Sequence, residues 1–408
     1  MKIYKRTLAN GLRVLLAPKL SLESTSIVIG VGFGSLDVGS NHRGLAHYLE
    51  HMLFKGTKKR SWSDINKITR KYSIYLNAET DYETTMFEVG AYKRYISNAM
   101  ELVSDIIKMP KFDSEEFRHE LGPIIHEIAI RKEDPDSIVY DNMPRALFRD
   151  SGNTMPENES SVEENISIKG IINAYDKYYN PRNCVAVIYG GTDLQSGMDL
   201  ARRYFLDFKH RFSKPSRNPL VANTQTRNIT IKRTGIGRGE IAMGFGCHGI
   251  DRSHIREFVA MNVVAGILNN RLYDQVREIH GLSYDPSVEY DAYGTFSCLF
   301  ASAGGPPAKL GRIKTIIMGE FGRLKEGYIS KEELKTVKRG LEIKYSMDSD
   351  DATGTAARIA GMELMYGDGK IYESIPKLVR KLDMTTARKF VDRYIDMKRY
   401  GLVTLSSA

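Results

Sequence analysis

Apolar residues in the first 120 positions change period several times. Residues 12–16 follow the turn pair Asn10-Gly11, and residues 24–31 are dense in β-branched side chains, so both predict strands. Residues 44–54 are apolar almost all round with a few polar insertions, as expected of a buried helix. A third strand is predicted over 84–89 and a helix over about 92–108. Asp113 or Ser114 caps the next helix, whose early carboxylates suit the positive end of its dipole. Residues 211–226 contain two prolines and no period, which predicts a linker. Beyond it the order recurs: strands at 228–232 and 240–244, a helix over 255–276, a strand pair within 287–303, then helices from 308 and 330. The helix openings at Ser114 and Ser330 are similar in character and lie 216 residues apart, about half the chain. The pattern predicts an α+β fold of two homologous halves, each a mainly antiparallel sheet packed with helices. The expected domains are 1–210 and 227–408, joined by the 211–226 linker.

Composition narrows the function classes. With 408 residues, 42% hydrophobic and 27% charged, the chain is neither disordered nor collagen-like and can bury two cores. A net charge of +9 is modest at this length and does not call for a nucleic-acid partner. The basic stretch 377–399 reads as an amphipathic terminal helix with a solvated face. Cys184, Cys247 and Cys298 are odd in number and far apart, so neither a disulfide framework nor a cysteine metal site is expected. No apolar run approaches the ~18 residues that span a bilayer, and the charged start is not followed by a leader-type apolar stretch. A soluble cytoplasmic protein with no membrane partner is expected.

The chemistry concentrates in His47-Tyr48-Leu49-Glu50-His51. Residues four apart share a helix face, so His47 and His51 can direct ring nitrogens to one point, with Glu50 beside them. Three ionisable groups on one side of an apolar helix cost several kcal/mol unless neutralised, and a divalent cation neutralises them. Two imidazoles and an open position suit a catalytic zinc site once a third ligand arrives. Glu127, within the apolar run 124–128, is the expected ligand, its burial among isoleucines being the argument. Glu120, seven residues earlier, lies on the same face and could orient a ligand; His126 points about 100° away and reads as structural.

The segment from Gly44 to Thr57, Gly-Leu-Ala-His-Tyr-Leu-Glu-His-Met-Leu-Phe-Lys-Gly-Thr, closely resembles the zinc-site segment of the pitrilysin-type inverzincins, the family that includes insulysin and mitochondrial processing peptidase. The resemblance implies a distal glutamate ligand about 76 residues beyond the second histidine, where Glu127 stands, and a further glutamate at Glu120. Leu76-Asn77-Ala78-Glu79-Thr80 is similar to the family's edge strand, which implies that Leu76, Asn77, Ala78 and Glu79 bind an extended peptide. Residues 179–185 resemble its returning strand, and 270–278 with 281–284 its second-half segment, which implies that Arg277 and Tyr284 reach the substrate. The implied protein is a zinc-dependent endopeptidase, one Zn2+ per chain, with Glu50 as base toward the metal's water. Its implied substrates are unfolded peptides, entering a chamber between two domains, and its implied assembly is a homodimer. A catalytically silent scaffold or processing-complex subunit of the same fold is the alternative.

Three departures carry expectations of their own. Residues 72–75 lack the paired glycines the family often has there. Pro123 should kink or restart the helix leading to Glu127 and so disturb Glu120. The second half is apolar at 263–266, where the motif would recur, and should bind no metal.

Overall fold

Two open sheets organise the computed structural model, which describes residues 1–149, 151–208, 216–348 and 351–408. The first comprises β1 (Tyr4–Thr7), β2 (Arg13–Pro18), β3 (Ser24–Val31), β4 (Tyr75–Thr80), β5 (Thr85–Tyr92) and β6 (Cys184–Gly190), in the order β1-β2-β6-β3-β5-β4. The second comprises β7 (Arg227–Arg233), β8 (Gly239–His248), β9 (Ser287–Ala292), β10 (Phe296–Gly305) and β11 (Gly401–Ser407), in the order β7-β11-β8-β10-β9. Apart from β1, the two orders are the same when β2, β6, β3, β5 and β4 are matched with β7, β11, β8, β10 and β9. Even the single parallel pair recurs, β2 with β6 and β7 with β11, every other pairing being antiparallel. The predicted α+β repeat is therefore present in strand order as well as in element order.

The core strands are those whose sequence is apolar at consecutive positions. All seven residues of β6 are buried, as are Ile27, Val28 and Ile29 of β3, because both faces of these strands are covered. β4 has a neighbour only in β5 and alternates between exposed and half-buried side chains, as an edge strand should.

Each compact unit is assembled from three stretches of chain. The first takes Met1–Glu127, Glu157–Arg217 and Tyr345–Ser374; the second takes Ile128–Pro156, Asn218–Lys344 and Ile375–Ala408. A single cut between 210 and 227 assigns two helices to the opposite sheet. Ala352–Tyr366, late in the chain, packs on β3, β5 and β6 of the first sheet. There Thr353 and Ser26 share a hydrogen bond of 2.8 Å, and fully buried Glu363 meets Lys5 at 2.7 Å and Arg13 at 3.2 Å. Pro135–Leu147, early in the chain, packs on β8 and β11 of the second sheet. Gly401 is required by that approach, since a Cβ there would lie 2.7 Å from Leu147 and 2.9 Å from Ala146.

Three local expectations change. Pro123 lies inside one continuous helix, Ser114–Glu133; Gly122 and Pro123 are exposed, and so is His119, whose carbonyl the proline leaves free for water. The basic stretch 377–399 is not one helix: Ile371–Lys381 and Met384–Tyr394 are separate, Asp383 capping the second by accepting the Thr386 N–H at 2.8 Å. Residues 211–215 of the expected linker, and its junction at 209–210, lie outside the described residues, while Val221–Ala222 pairs with Phe148–Arg149 in the second unit. Among the described residues no helix is long and apolar enough to cross a membrane.

Candidate metal centre and active site

The helix carrying the histidines, α1 (Leu45–Leu53), opens at Gly44 in the left-handed region, φ 90°. Leu45, Ala46, Leu49, Met52 and Leu53 bury its apolar sides. Tyr48 locks it to the helix α2 (Ser114–Glu133): its ring stacks on Phe117 at 4.7 Å and its hydroxyl donates to the Phe117 carbonyl. Asp113 caps α2, its Oδ1 accepting the Glu115 N–H at 2.9 Å. Two helices from distant stretches of sequence are thus held side by side.

That contact brings the predicted ligands together. His47 Nε2 and His51 Nε2 lie 3.0 Å apart, and Glu127 Oε2 is 3.4 Å from the first and 3.6 Å from the second. Among the described residues, His47, His51 and Glu127 are the group whose ligand atoms lie close enough, within 4.8 Å, to hold a metal ion. Glu127 is exposed, with 52% of its side chain accessible, so the argument from burial fails. The isoleucines that suggested burial are split between faces: Ile124 and Ile128 are buried, whereas Ile130 is exposed.

Glu120 behaves in the opposite way. It is buried, accepts from His51 Nδ1 at 2.8 Å, and pairs with Lys55 Nζ. Burial acts to raise its pKa, but the hydrogen bonds from His51 and Lys55 outweigh burial and hold it below the ordinary carboxylate value. The continuous passage of α2 through Pro123 keeps Glu120 two turns before Glu127 on one face.

Glu50 points to the same region and is buried, its Oε2 accepting the Thr80 hydroxyl at 2.5 Å. Burial raises its pKa and the Thr80 hydrogen bond opposes the rise. Thr80 ends β4, so the strand bearing Leu76, Asn77, Ala78 and Glu79 adjoins the site through its last residue. Arg277 and Tyr284 lie in the second unit, where the guanidinium sits 4.2 Å above the Tyr284 ring and 4.8 Å from that of Tyr273. Arg277 is carried by a π-helical stretch, Tyr273–Ile279, and Tyr284 is highly exposed.

Three partners escaped sequence reasoning: Lys55 on Glu120, Thr80 on Glu50, and Glu157, whose Oε1 lies 2.6 Å from His47 Nδ1. Lys55 and Thr80 stand inside segments read for other reasons. Glu157, in the aperiodic run Met155-Pro156-Glu157-Asn158, gave no signal at all.

The donor set fits a divalent cation. Glu50, Glu120, Glu127 and Glu157 surround two imidazoles and one lysine. Burial pulls the His47 pKa down, but hydrogen bonds to Glu127 and Glu157 and the charge of Glu50 win and lift it to about 10. The same surplus of negative charge favours a metal dication, and two imidazoles with one carboxylate match zinc.

Models of known protein families match most of the chain. The model described as insulinase (peptidase family M16) matches residues 13–156, and that of the peptidase M16 inactive domain matches residues 165–341. An uncharacterised zinc protease of Mycobacterium bovis is 25% identical over 98% of this chain and 92% of its own. One of Bacillus subtilis is 24% identical over 91% of each. The crystal structure of a protease from Helicobacter pylori superposes with a TM-score of 0.91 at 18% identity, covering 99% of both chains, and shows the same fold.

Proposed function

The chain belongs to the insulinase family of peptidases, M16, and from that premise we propose that it is a zinc-dependent endopeptidase acting on extended, unfolded peptides. The observation that carries this reading is the convergence of His47 Nε2, His51 Nε2 and Glu127 Oε2, with the buried Glu50 carboxylate beside them. His47, His51 and Glu127 would hold one zinc ion, which supplies Lewis acidity toward a water and a peptide carbonyl. Glu50 takes the proton from the attacking water and returns it to the leaving amide nitrogen. Burial raises its pKa and so strengthens it as a base, while the Thr80 hydroxyl opposes that rise and holds the carboxylate in place. The open edge of β4 offers backbone donors and acceptors along Leu76, Asn77, Ala78 and Glu79, where a peptide can add as a strand with little dependence on its sequence. Arg277 and Tyr284 complete the proposal as substrate-holding groups contributed by the second unit, with the substrate enclosed in a chamber. The assembly that goes with it is a cytoplasmic homodimer with one zinc per chain.

Digestion of a mixed peptide library, with a chelator and after zinc restoration, tests the reading. Cleavage should stop with chelation and return with zinc. Glu50→Gln should retain zinc and lose turnover by about 10²–10⁴-fold, the usual share of a general base. A wild-type protein that binds zinc and cleaves nothing would instead mark a scaffold.

A further inference from the structure

Glu157 is the one carboxylate in this cluster that no sequence signal pointed to, and its position is built from three directions. Its Oε1 lies 2.6 Å from His47 Nδ1, with 17% of its side chain accessible. Asn158, the next residue, caps the short helix Glu159–Asn165: its side chain accepts the Ser161 N–H at 3.0 Å, and its own N–H reaches Ser161 Oγ at 3.0 Å. The Ser161 hydroxyl also lies 3.2 Å from the Arg43 carbonyl, tying this turn to the residue just before the opening of α1. Gly44, at that opening, leaves the space Glu157 occupies. A Cβ there would sit 2.7 Å from Glu157 Oε2, 3.1 Å from its Cβ and 2.9 Å from Val162 Cγ2. Two sequence features with no role of their own, a glycine before the motif and an Asn-capped turn over a hundred residues later, thus serve one contact.

We infer that Glu157 is a positioning residue: it accepts the Nδ1–H of His47, fixing the ring so that the Nε2 lone pair faces the point shared with His51 Nε2 and Glu127 Oε2. Glu120 does the same for His51, so each imidazole has its own carboxylate on the far nitrogen. The two clamps differ in their surroundings. Glu120 also pairs with Lys55, whereas no Lys or Arg pairs with Glu157 among the described residues. The negative charge of Glu157 is therefore directed at His47. Carboxylates placed in this way orient metal-binding imidazoles and increase their donor strength.

The inference rests on the zinc-site reading, and its test separates the two. Zinc affinity is measured by competition with a chromophoric chelator, alongside the melting temperature of the metal-free protein. Glu157→Leu keeps bulk and removes the acceptor; zinc affinity should fall roughly 10–100-fold, as for other such partners. Glu157→Gln keeps a carbonyl that can accept Nδ1–H and should recover much of that loss. Both variants remove the charge that faces His47, so the metal-free melting temperature should fall in both alike, whereas zinc affinity should separate them. If the leucine variant does not fold, Glu157→Ala, which adds no bulk beside Gly44, is read in its place. Wild-type affinity in the variant lacking the acceptor, or no recovery in Glu157→Gln, overturns the positioning role. Failure of the wild-type protein to bind zinc overturns the metal site itself.

Discussion

In the first unit, α1 follows β3 and brings His47, Glu50 and His51 into a cluster with three further carboxylates. In the second, the corresponding helix Ile255–Leu272 follows β8 and buries Val259, Val263, Val264, Ile267 and Leu268 instead. Its one deeply buried acid, Glu257, is balanced locally: Tyr394 donates to it at 2.6 Å, His248 Nε2 lies 3.1 Å away and Arg393 3.5 Å away. Strand order is the same in both units, so the fold does not require the charged cluster. A sheet with a helix across it accepts either an apolar helix, which stabilises through burial, or a polar one, which needs a compensating cation. The second unit therefore shows the same strand order with an apolar helix in that place.

Four substitutions test that contrast, beginning with the largest expected effect. His51→Ala removes a proposed ligand and should weaken zinc binding beyond the roughly 10–100-fold expected for a positioning partner, abolishing peptide cleavage. Titration with zinc followed by a turnover assay reads both. Leu268→Ala in the apolar counterpart should cost about 2–5 kcal/mol of stability through the cavity it leaves, with zinc affinity unchanged. Denaturant unfolding beside a zinc titration separates the units in this way; a matching fall in zinc affinity would mean that they do not behave independently.

Thr80→Val leaves the ligands intact and removes the hydrogen bond that opposes the rise of the Glu50 pKa. Hydrogen bonds to charged groups are worth about 1.5–3 kcal/mol, so turnover should fall about 10–100-fold. Because Glu50 must be ionised to act as base, the acid limb of the pH–rate profile should move to higher pH. An unmoved limb would detach Thr80 from catalysis. The remaining test is at Glu240, in the second unit, whose pKa burial and the nearby charge of Asp136 raise to about 8, against the pull of Arg238. A folded-state pKa raised above the ordinary 4.5 gives stability that is full below 4.5 and is lost as pH rises through about 8. Glu240→Gln, neutral throughout, should therefore flatten the fall in melting temperature across that window. An unchanged slope would show that Glu240 is ionised in the folded protein.

The sequence was most informative where its signal is local. Strands β2, β3 and β5 and the helix at 45–53 follow directly from period and β-branching, and the four-residue spacing of His47 and His51 places their Nε2 atoms 3.0 Å apart. For Glu127 only resemblance and spacing carry a signal, since a run of isoleucines does not reveal which face of a helix meets a neighbour. Pro123 does not displace Glu120, because one lost backbone hydrogen bond on the exposed side of a long helix does not interrupt it. The basic C-terminal stretch hides its break, because a cap at Asp383 ends the continuity of the helix while the basic pattern runs across it.

What the sequence determined by itself is the strands and helices with a clear period, their repetition and the pair of imidazoles, because these depend on residues within one or two helical turns or one strand. Tertiary structure alone decided the rest. It brought Glu127 and Glu120 beside α1 through the Tyr48–Phe117 contact, and placed Glu157 and Thr80 on the far sides of His47 and Glu50. It also assigned Ala352–Tyr366 to the first sheet and Pro135–Leu147 to the second. Contacts between residues tens to hundreds of positions apart leave no period in the chain, since what selects them is shape and charge matching between surfaces that exist only once the elements have formed.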